Sequence, residues 1–501
     1  MPEFDIIVRG GSIADGLGGE PFEGDVGIGG DRIVAVGALA NTTAKRVIDA
    51  SGKLVTPGFI DVHTHYDGQA IWSDRLNPSS NHGVTTVVIG NCGVGFAPCR
   101  HEDQAMLVNV MEGVEDIPGI VLTDGLPWTW QTFPEYMDAL EDRPRDIDVA
   151  ALLPHSPLRI YVMGARGARR EPPTADDLRR MRALAKEAAE VGAIGFATSS
   201  TPAHRTADGN EIPSYQAELE ELEAISLGIA DGGGRIIQAT LNTPTPACNT
   251  WPDRLAFIQE LVRASGLGCT LTFSAQNEGP EDWRGALAII DKANNQGMAI
   301  RPQVFPRPVG MLLGLDLTTH PFVACPSYQA IAELPLAERV AKMREPAMRA
   351  RILSETPKGG STLSERARSW NFMFPFSDPP NYEPPADSSM GARADREGRS
   401  ADEIAYDHLL EDDGHAMLLA TIFNYPNRNL DAVAEIMKDP NAVLGLGDGG
   451  AHYGAICDAS YPTFTLTHWT RDRAAGRLPL GRAVRALSHT NAEMMGLHDR
   501  G

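Results

Sequence analysis

No stretch of this 501-residue sequence stays apolar for the roughly 18 residues that a membrane-spanning helix requires. The N-terminus, Met1-Pro2-Glu3-Phe4-Asp5, has neither the basic start nor the apolar segment of a signal peptide. The cytoplasm is therefore the expected compartment. Six cysteines (Cys92, Cys99, Cys248, Cys269, Cys325, Cys457) are scattered without a CxxC pair, which argues against a disulfide framework and against a structural zinc knuckle. Positive charge is scarce. Lys and Arg number 44 against 66 Asp and Glu, a net charge of −22, and such a chain repels nucleic-acid phosphates and anionic membranes. The expected partner is a small molecule, whose identity the charge does not fix; the oligomeric state is open. No GxSxG elbow surrounds a serine, and Gly90–Gly95 does not give GxGxxG opening a helix.

What is present suits a globular protein with a large core, at 42% hydrophobic and 22% charged residues. Residues 1–56 alternate short β-patterns with glycine turns, as in Asp5–Gly11, Gly24–Ile28, Asp31–Gly37 and Arg46–Ala50, and read as a small β-sandwich appendage. From residue 57 to 501 apolar runs alternate with helical patterns. Eight runs are strand candidates: Val55–His63, Thr85–Cys92, Ile147–His155, Ala193–Ser199, Arg235–Thr240, Cys269–Ser274, Met298–Val304 and Ala442–Asp448. Between them lie helices such as Thr174–Val191, with Thr174 as N-cap, and Trp251–Ser265. The arithmetic is that of an α/β (β/α)8 TIM-like barrel, whose chemistry gathers at the C-terminal ends of the strands. Residues 305–441 are too long for a simple connection. They read as a large insertion between strands seven and eight, either a lid over the mouth or a peripheral decoration.

The first run ends in Asp61-Val62-His63-Thr64-His65. Alternate residues of a strand share a face, so His63 and His65 form a ready pair of nitrogen ligands for a divalent metal. Two polar residues leaving a strand for solvent would look the same. Cys92 emerges after strand two, in Asn91-Cys92-Gly93, as a thiolate ligand, a nucleophile or a small buried thiol. Strand eight ends in Asp448-Gly449-Gly450-Ala451-His452. A carboxylate there can bind metal and take a proton from water, or cap the following loop.

Taken together, GFIDVHTHYD, GNCGVGFAPC, LLPHSPLRIYVMGARG, GAIGFATSS and GLGDGGAHYG resemble, in order and spacing, the D-aminoacylase (N-acyl-D-amino-acid deacylase) branch of the amidohydrolase superfamily. The resemblance covers nearly the whole chain and is weakest over 305–440. It implies that His63, His65, Cys92 and Asp448 form a metal site for one or two divalent ions, zinc foremost, and that Asp448 is the general base in hydrolysis of N-acyl amino acids. The family's histidines at the ends of strands five and six are replaced here by Gln238-Ala239-Thr240-Leu241-Asn242 and Thr272-Phe273-Ser274-Ala275-Gln276. The arginine that binds the substrate carboxylate after strand eight is missing as well. Arg307, after strand seven, is the candidate replacement, with His155, His204 and His452 as further candidates for substrate binding or for ordering loops. His452 is also a candidate proton donor to a leaving amine. In the family the chain runs on past the equivalent of Gly501 into strands that complete the sandwich, so a truncated C-terminus is expected, with a naturally reduced sandwich as the alternative. Hydrolysis of another amide, a cyclic amide or a carbamate stays open, as does a non-catalytic barrel used as a binding module.

Overall fold

The structure, a computed structural model, describes residues 3–241, 250–278, 282–357 and 368–500; Asn242 and Cys248 fall outside them. The chain begins with a mixed sheet of β1 (Phe4–Ile13), β2 (Phe22–Gly29), β3 (Arg32–Gly37), β4 (Ala44–Asp49) and β5 (Leu54–Val55), in the order β3-β2-β1-β4, with β5 also paired to β1. It is a single layer among the described residues. Ile33, Val34, Val36 and Val47 on it are exposed.

The run Val55–His63, expected to be one strand, is divided between two. Leu54–Val55 pairs with β1, and only β6 (Phe59–Asp61) joins the next sheet. Pro57 has no N–H to donate to a ladder. Gly58 lies flat on Thr85, whose Oγ1 would be 2.0 Å from an added Cβ.

All eight candidate runs contribute to one parallel sheet. After β6 come β7 (Val84–Ile89), β8 (Asp148–Pro154), β9 (Gly195–Ser199), β10 (Ile236–Thr240), β11 (Gly268–Phe273), β12 (Ile300–Val304) and, after an insertion, β16 (Val443–Leu444), in spatial order β16-β12-β11-β10-β9-β8-β7-β6. The sheet is curled, as in a TIM-like barrel. Alternation along the strands sorts their side chains. Val87, Ile89, Leu153, Phe196, Ile237, Leu271 and Phe273 pack outward in the large core with the helices. Ile60, Val62, Val88, Leu152, Ala197 and Ile236 meet inside, where Ala492 and Met495 of the helix His489–Met495 close the floor. Nearer the C-terminal rim, the residues in step with Ile236 are polar: Gln238 and Thr240, with Thr270, Thr272 and Gln303 in register beside them.

The edges of the sheet meet without a ladder. Asn491 donates from Nδ2 to the carbonyls of Ile60 on β6 and Leu444 on β16, both at 2.8 Å. Beyond it, Asp448 N–H donates to His63 O at 3.1 Å and His65 N–H to Gly449 O at 2.8 Å. Outside the sheet the helix Ala175–Glu190 starts at Thr174 as expected, with Oγ1 accepting from Asp177 N–H.

Between β12 and β16 the chain builds β13 (Val309–Leu313), β14 (Met373–Pro375) and β15 (Leu418–Phe423) into an antiparallel sheet, β13-β15-β14. This segment has its own apolar cluster, including Phe322, Met343, Met390, Tyr406 and Leu418. It is tied to the end of β11 by Asn424 N–H donating to Ala275 O at 2.8 Å. Among the described residues no helix is long and apolar enough to cross a membrane.

Candidate metal centre

The end of β7 delivers the thiol. Gly90 and Gly93 have φ of +82° and +68°, and added Cβ atoms would meet Leu152 O at 2.3 Å and Ala197 O at 2.9 Å. The turn therefore lies flat on β8 and β9, which only glycine allows. Cys92 between them has φ 55°. Its N–H donates to Gln238 Oε1 at 2.9 Å, and its Sγ lies 3.4 Å from Thr240 Oγ1.

His63 and His65 lie edge to face, with ring centroids 5.4 Å apart. His63 Nδ1 is 2.8 Å from Gln303 Oε1. The amide oxygen can only accept, so it fixes the proton on Nδ1 and leaves Nε2 as the free donor atom. That Nε2 sits 3.3 Å from Cys92 Sγ and 3.6 Å from Asp448 Oδ1. His65 Nε2 is 3.7 Å from the same carboxylate oxygen. One donor atom from each of His63, His65 and Cys92 can be chosen so that all lie within 4.8 Å of one another. Asp448 reaches them from a strained turn, since Leu446, Asp448 and His452 have φ of 68°, 44° and 56°.

Glu115 was not visible as a site residue in the sequence. It ends the helix Gln104–Glu115, is 2% exposed, and places Oε1 3.3 Å from His65 Nδ1 and Oε2 3.6 Å from His452 Nε2. The first pair is close but not aligned as a hydrogen bond. The available signal was Val114-Glu115-Asp116 at a helix C-terminus, where the macrodipole disfavours carboxylates. Gln303 and Gln238 were equally silent, each a lone amide within a short buried strand.

Burial governs the electrostatics. It holds the His63 pKa down to about 4 and His65 well below the usual range. Burial, reinforced by Glu115 and Asp448, pushes the Cys92 thiol well up. Burial, with Asp458 and Asp61 nearby, pushes Asp448 well up, and Glu115 rises through burial and the Asp448 charge. Two neutral imidazoles and a thiol that only a neighbouring cation would ionise are a donor set that fits a divalent metal of the zinc type.

The remaining candidates divide. Burial holds the His204 pKa down to about 3, with charge on His452 and His63 adding to it, and its Nδ1 is 3.0 Å from Ser199 Oγ. His452 lies 3.9 Å from Asp448 Oδ2. His155 is directed elsewhere: Nδ1 meets Thr198 Oγ1 at 2.9 Å and Nε2 meets the buried Glu221 at 3.0 Å. Arg307 is also a correction. Its side chain is fully buried, donating to Asp458 at 2.6 Å, Cys457 O at 2.7 Å and Ser460 Oγ at 3.0 Å, and it lies 3.9 Å over the Tyr382 ring. A guanidinium held this way anchors Tyr382 of the insertion to the loop after β16. It does not offer a fork to a substrate.

Parallel strands curled with polar donors at their C-terminal rim are the architecture of a TIM-like barrel. The profile of the amidohydrolase family matches residues 46–501, and the chain belongs to that family of hydrolases acting on carbon–nitrogen bonds. An uncharacterized protein of Mycobacterium tuberculosis (strain ATCC 25618 / H37Rv) is 29% identical over 531 aligned positions, spanning 99% of this chain and 82% of its own. D-aminoacylase of Alcaligenes xylosoxydans xylosoxydans is 35% identical over 233 residues, 46% of this chain and 43% of that one. N-acyl-D-glutamate deacylase of the same organism is 32% identical over 312 residues, 61% and 57%. Among solved structures, a D-aminoacylase superposes with TM-score 0.65 at 23% identity, covering 99% of this chain and 87% of the other. The N-acyl-D-glutamate deacylase of Bordetella bronchiseptica superposes with TM-score 0.64 at 24% identity and the same coverage. These two show a shared fold.

Proposed function

We propose that the chain is a metal-dependent amide hydrolase in which His63, His65 and Cys92 hold a divalent cation, with Asp448 completing the set and serving as general base. The observation that carries this reading is the convergence of three buried donors within 4.8 Å on a carboxylate that is itself 13% exposed, and so open to a substrate. Zinc suits the mixed nitrogen and sulfur donors, and the deacylase of like fold from Bordetella bronchiseptica is complexed with zinc and a phosphonate mimic of the tetrahedral intermediate. When bound, the cation polarises the scissile carbonyl and acidifies water.

The chain's own residues do the rest. Gln303 fixes the His63 tautomer. Glu115 faces His65 on one side and His452 on the other. Asp448 accepts one proton of the attacking water as the new C–O bond forms. His452, 3.9 Å from Asp448 Oδ2, passes that proton to the leaving nitrogen as the C–N bond breaks, giving a carboxylic acid and an amine. Residues 305–441 form a lid over the mouth and 1–56 an appendage to the barrel at 57–501, in support of which Asn424 bonds the end of β11.

The test combines metal analysis of the purified protein with an amide-hydrolysis screen on the wild type and Asp448→Asn. The expected result is about one tightly held divalent ion per chain. Turnover should fall by roughly 10²–10⁴-fold in the variant, whose amide still coordinates but cannot take the proton. Unchanged turnover in Asp448→Asn removes the base, and a metal-free, inactive wild type favours the binding-module alternative.

A further inference from the structure

Beside Asp448 a cavity of about 290 Å³ opens, lined by Pro78, Leu312, Leu317 and the turn from Asp448 to Ala459. Its walls are apolar along Ala451, Ala455 and Ile456, and no lysine or arginine lines it among the described residues. We infer that this cavity receives an uncharged, apolar substituent flanking the scissile amide, so that the preferred substrates are neutral amides lacking the carboxylate of an N-acyl amino acid. The inference rests on the hydrolase reading above and adds the substrate class to it.

Two features exclude a carboxylate from this place. The first is the state of Arg307. It is the cation best placed by sequence to bind an anion, and it is buried against Asp458, with its remaining donors on Cys457 O and Ser460 Oγ. Recruiting it would leave Asp458 buried and unpaired, which is costly. The second is the lining. No lysine or arginine stands in it among the described residues, and the side chains of Leu312, Leu317, Ala451, Ala455 and Ile456 give an entering carboxylate no hydrogen-bond donor. The size is also limiting. At 290 Å³ the cavity lies at the lower end of ligand sites, roughly 300–1,000 Å³, and suits a branched alkyl group or a single ring.

A matched pair of substrates isolates the charge: N-acetyl-D-leucine and its decarboxylated counterpart, N-(3-methylbutyl)acetamide. With the zinc-loaded full chain, kcat/KM for the neutral amide should exceed that for the acid by about 30-fold or more, the penalty for placing one carboxylate where no hydrogen-bonding cation meets it. Leu317→Arg, at a half-buried wall position, places a cation in the cavity and should narrow the gap by raising the acid and lowering the neutral amide. Preference of the wild type for the acid, or an unchanged ratio in Leu317→Arg, overturns the inference. Calorimetric binding of both compounds to zinc-loaded Asp448→Asn keeps the two claims apart. Tighter binding of the neutral compound without hydrolysis by the wild type sustains the cavity's preference and refutes the hydrolase. Hydrolysis with tighter binding of the acid does the reverse.

Discussion

Two arcs of the same rim differ in what they offer. The arc made by β6, β7 and β16 carries two imidazoles, a thiol and a carboxylate, and side chains from elsewhere orient them. The arc made by β10 and β11 carries Gln238, Thr240, Thr270, Thr272 and Ser274. The hydroxyls of Thr270, Thr272 and Ser274 are buried without a partner among the described residues. Both arcs belong to one parallel sheet, but Cys92 and Asp448 follow their strand ends in left-handed turns, whereas Gln238, Thr240, Thr270 and Thr272 sit within the strands, so the arcs differ in backbone as well as in side-chain chemistry. A strand end provides direction, whereas a metal site also needs soft or basic donors and a second layer that fixes their orientation. The donor-poor arc still touches the other one, through Gln238 and Thr240 on Cys92; it supports the centre without ligating it.

The largest effect should come from emptying the donor-rich arc. His63→Ala with His65→Ala should take metal content from about one ion per chain to nearly none, with loss of hydrolysis; retention of the ion on elemental analysis would place it elsewhere. The reverse experiment fills the poor arc. Thr240→His with Ser274→His should raise the stoichiometry to about two ions per chain, because Thr240 already faces Cys92 at 3.4 Å; a ratio that stays at one would show that more than donor type separates the arcs. A smaller effect is expected from the orienting layer. Glu115→Gln and Gln303→Leu should each weaken metal affinity by about 10–100-fold, as loss of such partners does elsewhere; competition with a chelator reads this directly.

The smallest effect on the centre should come from Glu383, in the insertion. Burial would raise its pKa, but bonds from His468 and Arg473 outweigh that and hold it at about 2. Its folded pKa lies below the ordinary glutamate value of 4.5, so the stabilisation is full above that value and is lost as pH falls toward 2. Glu383→Gln should therefore destabilise the protein at pH 7 by ~2 kcal/mol and flatten the acid limb of its stability curve. Metal content should not change.

The sequence exposes the donor-rich arc because its residues follow strand ends in short, ordered motifs: His63-Thr64-His65, Asn91-Cys92-Gly93 and Asp448-Gly449. The eight strands were legible for the same reason, as apolar runs of the right length. Pairings across long separations were not. Arg307 reads as a free rim cation until Asp458, 151 positions away, is seen against it. His155 reads as a rim histidine until Glu221 takes its Nε2. Glu115 acquires its role only because its helix ends beside β6, which no local pattern announces. The division of Val55–His63 between two sheets was in principle visible in Thr56-Pro57-Gly58, which interrupts the apolar residues.

Asn491 gives the seam of the sheet a consequence beyond closure. One carboxamide near the C-terminus holds the carbonyls of Ile60 and Leu444, a few residues before His63 and Asp448 along their two strands. That clasp, with the bonds from Asp448 N–H to His63 O and from His65 N–H to Gly449 O, holds the two edges together. Linkage then requires reciprocity: whatever ion draws His63 and Asp448 together must also tighten the helix His489–Met495 on the barrel floor. Slower amide hydrogen exchange in that helix on addition of zinc would report occupancy from the opposite end of the barrel, and Asn491→Ala would loosen the ion without touching a ligand.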